Sequence, residues 1–209
     1  DIGLLRSTIL PSFTLHTTLD IAAFIAAKAT NRAELKDWVW PTSQLLNAWW
    51  SALGHQIYHH QLSPQTAWSS LSWTDKVLLT AVTAWATRLF ARIAARSLTR
   101  GTDDPRYEQM KKADPKGFWL NALWGQYLPE AAVLTLVSLP FTVPFRGEGS
   151  LLKMDGDVRA VVRALGVAAF GAGFALEVLA DEQLRGHKER RGTGDLCTTG
   201  VWSIVRHPK

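Results

Sequence analysis

Apolar and charged residues are segregated along this chain rather than mixed. Five long apolar blocks, at 9–27, 38–58, 76–96, 118–145 and 158–184, are separated by short stretches dense in charge. Each has about 20 residues or more, the length a helix rising ~1.5 Å per residue needs to cross ~30 Å of hydrocarbon. None alternates apolar and polar positions with the period of two that marks a half-buried strand. In hydrocarbon the backbone must satisfy its own hydrogen bonds, so spans of this kind are helices. The pattern predicts an all-α protein: a multi-pass transmembrane helical bundle with about five spans, forming a single membrane domain over 1–209. The second block is the weakest, because Trp and polar residues crowd it.

The connecting stretches supply an independent signal. Segment 28–37 carries Lys28, Arg32 and Lys36, whereas 59–75 has neither Lys nor Arg. Segment 97–117 carries Arg100, Arg106, Lys111, Lys112 and Lys116, and 146–157 only Arg146 and Lys153. The tail, 185–209, carries Arg185, Lys188, Arg190, Arg191, Arg206 and Lys209. Rich and poor loops alternate as the positive-inside rule requires for five spans. The rule supports the weak second span, without which 28–37 and 59–75 would share one side. It assigns 28–37, 97–117 and 185–209 to the cytosol and the N-terminus to the other side. Pro129, Pro140 and Pro144 predict kinks or an end in the fourth span. Gly166, Gly171 and Gly173 suit close helix contact on the fifth.

Composition changes this picture little. A hydrophobic content of 47% and a mean hydropathy near zero would suit a soluble chain, but the averages hide the segregation. Ten Trp in 209 residues fit a protein with two bilayer interfaces, where the ring is half-buried and its N–H stays wet. A net charge of +5 would also suit a nucleic-acid binder. The cations lie between the apolar blocks, however, so an anionic lipid leaflet is the expected partner and nucleic acid is not. Cys197 is the only cysteine, which leaves no intramolecular disulfide and no Cys-based metal site. The chain starts at Asp1 without Met and stops at Lys209 inside a motif, so a piece of a longer protein is expected.

Ionisable residues within the spans are the first candidates for chemistry, since a charge at mid-bilayer is disfavoured by ~2.5–3.5 kcal/mol on insertion scales. They are Asp20, Arg88, Glu130, Arg163, Glu177 and Asp181; His16 lies one helical turn before Asp20. Glu177 and Asp181 share a helical face, and Lys188 joins it if the helix continues. The tail places cations beside glycines, which suits phosphate binding. There is no GxGxxG and no GxxxxGK[ST], so a Rossmann or P-loop site is not supported. His55 and His59 have metal-ligand spacing but no third ligand with a signature position, and no metal is expected.

Several motifs, in order, resemble the steroid 5-alpha-reductase-like membrane proteins, in particular an uncharacterised branch with fungal members. They are Trp85-x-x-Arg88-Leu89 followed by Arg96, then Asp104-Pro105-Arg106-Tyr107, Phe118-Trp119 and Gly125-Gln126. Glu177-x-x-x-Asp181-x-Gln183 follows, and Gly200-Val201-Trp202 precedes Arg206-His207-Pro208. The resemblance is best over 85–209 and looser over 14–60. In that family the last motif continues Asn-Tyr and then Gly-Glu; here Lys209 stands in place of the Asn. The resemblance implies an endoplasmic-reticulum bundle whose cytosolic side binds NADPH and reduces a carbon–carbon double bond in a sterol-like or other lipid substrate. Carried over by position, Glu177, Asp181 and Lys188 belong to the cofactor-facing set, with Arg206 near it; His207, next to Arg206, and Arg106, whose loop shares the cytosolic side in this topology, are the other expected cofactor contacts. It identifies no catalytic residue. The alternatives are an S-adenosylmethionine-dependent membrane methyltransferase of the same superfamily, whose members also use Arg-His-Pro, and a non-catalytic membrane scaffold.

Overall fold

The computed structural model describes residues 2–146, 156–192 and 195–204. They are almost entirely helical, and no strand occurs among them. The chain forms two compact units, Asp1–Leu151 and Leu152–Lys209. Four helices are long and apolar enough to cross a membrane: Leu5–Thr30 (α1), Trp73–Arg100 (α4), Phe118–Phe145 (α6) and a window of Gly156–Arg191 (α7).

A fifth long helix, α2, runs without a break over 35–60 and corresponds to the weak second block. It is long enough to cross a membrane but not as apolar as those four. It packs against α1, α4 and α6, so protein rather than lipid surrounds much of it. Ser43, Gln44, Asn47 and Ser51 are buried there. A span walled by other helices can carry polar side chains that a lipid-facing one cannot. Two short helices, Pro64–Ser70 (α3) and Pro105–Ala113 (α5), lie in the connections of this first unit.

The first unit has two recognisable ends. Arg32 donates to the Ser97 carbonyl oxygen (3.0 Å), and Lys111 Nζ donates to the Asn31 carbonyl oxygen (2.6 Å). These contacts join segments 28–37 and 97–117 at one basic end, as the loop charges predict. At the far end, Phe141 and Phe145 pack with Leu71, Ala48 and Ala52, which brings the close of α6 beside the charge-poor segment 59–75. Residues 147–155 lie outside the described residues.

Prolines shape the spans in a way the pattern of apolar positions does not reveal. Pro129 falls just after a π-helical turn, Leu123–Tyr127, and Pro11 two residues after another, Leu5–Ile9. Proline has no N–H for the regular bond to the fourth residue back, and a locally widened turn accommodates that gap. Pro140 sits inside the helix, and Pro144 lies in a closing 3₁₀ turn, Val143–Arg146.

In the second unit, α7 continues to Arg191, and the chain then folds back through a short helix, Val201–Ile204 (α8). Trp202 Nε1 donates to the Ala180 carbonyl oxygen (2.9 Å), and Val201 N–H to Gln183 Oε1 (2.8 Å). Gly200 has φ +65°, a left-handed turn that favours glycine, and a β-carbon there would lie 2.4 Å from Gln183 Oε1 and displace that amide from its bond to Val201.

Candidate functional site

The Asp-Pro-Arg-Tyr motif acts first as a helix start and a latch. Asp104 caps α5 by accepting from the Arg106 N–H (3.0 Å), with Pro105 at the first helical position. Tyr107 Oη donates to Asp37 Oδ1 (2.9 Å), and Arg106 pairs with Asp104 (2.9 Å) and Asp37 (3.2 Å). Burial, then the neighbouring Asp37 carboxylate, pushes the Tyr107 phenol up. Arg106, a residue expected near the cofactor, is thus engaged by two carboxylates while its side chain stays largely exposed.

Beside this latch lies a buried ion-pair lattice. Glu34 is buried between Arg32 and Arg100, the latter at 2.7 Å, and accepts from Ser97 Oγ (2.6 Å). Asp103 accepts from the backbone N–H groups of Ala33 (2.8 Å), Glu34 (2.9 Å) and Asp104 (2.9 Å), and pairs with Lys111 (2.5 Å). This lattice fastens the 101–113 segment onto the turn between α1 and α2. Sequence reading takes these residues for loop charges and misses their burial. Short loops of mixed charge between spans are the only hint.

Within the bundle, polar side chains line the contacts of α1, α2 and α6. Ser12 Oγ donates to Asn47 Oδ1 (3.1 Å), and Asn47 Nδ2 donates to His16 Nε2 (3.3 Å). Gln44 Nε2 donates to the Leu134 carbonyl oxygen (3.1 Å). Glu130 pairs with Lys36. His16 and Asp20 are fully buried, and neither Asp20 oxygen has a hydrogen-bond partner among the described residues. Asp20 and Glu130 stand out as intramembrane acids in the sequence. Asn47 and Gln44 do not, because an uncharged amide in a Trp-rich block resembles interface sequence.

In the second unit, Glu177, Asp181 and Lys188 all lie on α7, which continues past Lys188 as their common face requires. Asp181 is buried, Glu177 half-buried and Lys188 exposed. The eleven-residue spacing from Glu177 to Lys188 corresponds to about 16 Å along the axis, so they form a stripe rather than one cluster. Beyond the stripe, His187, Arg190, Leu196, Thr198 and Thr199 line a cavity of about 330 Å³. His187 Nε2 donates to the Asp195 carbonyl oxygen (3.1 Å), holding the returning segment over it. Arg206 and His207 lie outside the described residues. Among the described residues no group of three or more His, Cys, Asp or Glu is placed to hold a metal ion; His55, His59 and His60 make ring contacts on the far part of α2.

Membrane-length helices around a polar interior, with little soluble structure in the described residues, define an integral membrane protein of the multi-pass helical class. Residues 23–209 match the family described as "Protein of unknown function (DUF1295)", and the chain belongs to that family. No curated protein and no solved structure matches it.

Proposed function

We infer that this chain is the membrane-embedded body of an NADPH-dependent reductase acting on a carbon–carbon double bond of a sterol-like or other lipid substrate, in the endoplasmic reticulum membrane. The reading rests on the ordered motifs that resemble steroid 5-alpha-reductase-like proteins. The observation that carries it is the cavity beside α7. A cation (Arg190), an imidazole (His187) and two hydroxyls (Thr198, Thr199) line it. That donor set suits a phosphate-bearing group, and its volume of about 330 Å³ falls within the usual ~300–1,000 Å³ of ligand sites. Bound NADPH would supply the hydride. Arg190 and Lys188 would hold its phosphates, and Glu177 and Asp181 would accept hydrogen bonds from its ribose or amide groups. Gln183, Gly200 and Trp202 act as positioning residues, because their contacts set the wall formed by 195–200.

Cofactor binding to the purified full-length protein in detergent tests this. NADPH is expected to bind, with NADH weaker. Lys188→Ala and Arg190→Ala should each lower NADPH affinity about tenfold, the loss of one charge-assisted contact, while the thermal melt stays unchanged. Binding of S-adenosylmethionine with none of NADPH would replace this reading by the methyltransferase one. Binding of neither would favour a scaffold.

A further inference from the structure

A groove of about 880 Å³ runs between α1 and α2 in the first unit, far from the basic end. Leu10, Thr14 and Thr18 line it from α1, and Leu46, Trp49 and Trp50 from α2. It is open along one side, and its size is that of a ligand site. Each wall carries a π-helical turn, Leu5–Ile9 on one side and Trp50–Gly54 on the other. Such turns recur at functional sites.

The wall is set in advance. Trp49 Nε1 donates to Thr83 Oγ1 (3.1 Å), and its ring stacks on Trp68 with centroids 6.4 Å apart. A β-carbon on Gly54 would come within 2.3 Å of the Trp50 ring, so only glycine lets that ring lie where it does.

Arg6 also lines the groove and is the only charged residue described there. It lies 24 residues before Thr30, which corresponds to about 36 Å along α1. That separation is close to a bilayer's thickness and sets Arg6 at the membrane surface opposite the basic end. Trp49 and Trp50 suit the same interfacial depth. An apolar trough with a guanidinium at headgroup level is complementary to one kind of molecule.

We propose that this groove binds an anionic phospholipid of the surrounding leaflet, with its phosphate at Arg6 and an acyl chain along Leu10, Thr14 and Leu46. Arginine grips phosphate through paired N–H groups, which a zwitterionic headgroup would engage less strongly. The proposal does not rest on the reductase reading.

The test uses full-length protein in mild detergent, offered phosphatidylglycerol and phosphatidylcholine at equal concentration, with native mass spectrometry counting the retained lipids. Wild type should retain phosphatidylglycerol about tenfold in preference. Arg6→Gln should abolish the preference. Thr14→Trp, which fills the trough from an exposed position, should lower retention of both lipids. Circular dichroism checks that the variants fold, and if Thr14→Trp does not, Arg6→Gln decides alone. Equal retention of the two lipids by wild type, or an undiminished preference in Arg6→Gln, overturns the proposal. So does a dimer that holds without lipid and is broken by Thr14→Trp, because the groove would then seat a second copy.

Discussion

Asp20 and Asp103 are both buried acids in opposite circumstances. Asp103 sits at the basic end, where burial alone would raise its pKa. Hydrogen bonds from Lys111 and from the N–H groups of Glu34, Ala33 and Asp104 outweigh that and hold its carboxyl below the usual carboxylate range. Because the folded pKa is depressed, its stabilisation is complete above the unfolded value of about 4 and is lost as pH falls through the folded one. Asp103→Asn is expected to destabilise the detergent-solubilised protein by about 2–3 kcal/mol at neutral pH, since it removes the buried one of Lys111's two carboxylate partners and weakens an N–H cradle. The gap between variant and wild type in thermal melts should narrow below about pH 4. Asp20 has no hydrogen-bond partner among the described residues and lies within a span. Asp20→Asn should leave the melt unchanged or raise it, given the ~2.5–3.5 kcal/mol that disfavours an acid at that depth. A drop as large as that of Asp103→Asn would show that Asp20 is held by a partner.

At the scale of elements, three helix starts carry side-chain caps: Ser63 for α3, Ser72 for α4 and Asp104 for α5. Ser72 accepts from the Asp75 N–H (3.1 Å), while Asp75 Oδ2 accepts from the Ser72 N–H (3.0 Å), a capping box that opens α4. Ser72→Ala should destabilise the protein by about 1 kcal/mol, read as a lower melting temperature. The same substitution at Ser69, which caps no helix, should have little effect. The π-helical turns follow a looser rule. Two stand next to prolines, but Trp50–Gly54 does not; there the Trp50 ring packs over Gly54. No periodicity in the sequence encodes that contact.

At the scale of the whole molecule, the first unit has the two ends that the loop charges imply. Thr102 and Gln65 are exposed at opposite ends. In a Cys197→Ser background, a cysteine at Thr102 should react with a membrane-impermeant maleimide from the cytosolic side. One at Gln65 should react only from the other side. Labelling of both from one side would mean that α2 turns back within the membrane instead of crossing it.

Most of the architecture was legible in the sequence because the bilayer imposes it. Hydrocarbon requires apolar segments about 20 residues long with their backbone bonds satisfied internally, and that requirement is local to each segment. The expected blocks at 118–145 and 158–184 accordingly lie within Phe118–Phe145 and Gly156–Arg191. The positive-inside pattern is local too, which is why the ends of the first unit could be anticipated. Candidate residues were legible only by type. Arg106 is expected from the sequence as a phosphate ligand, and its pairing with Asp104 and Asp37 is visible only in the fold; Glu177, Asp181 and Lys188 lie on α7 as expected, while the cavity lined by His187, Arg190, Leu196, Thr198 and Thr199 has no signal in the sequence. Only tertiary structure decided that α2, the weakest of the five expected spans, lies among three others, that Glu34 and Asp103 are buried rather than exposed loop acids, and that α1 and α2 leave a groove between them. Those outcomes depend on which distant segments meet, as when Asp103 accepts from Ala33, seventy residues away. Hydropathy along the chain carries no information about such partners.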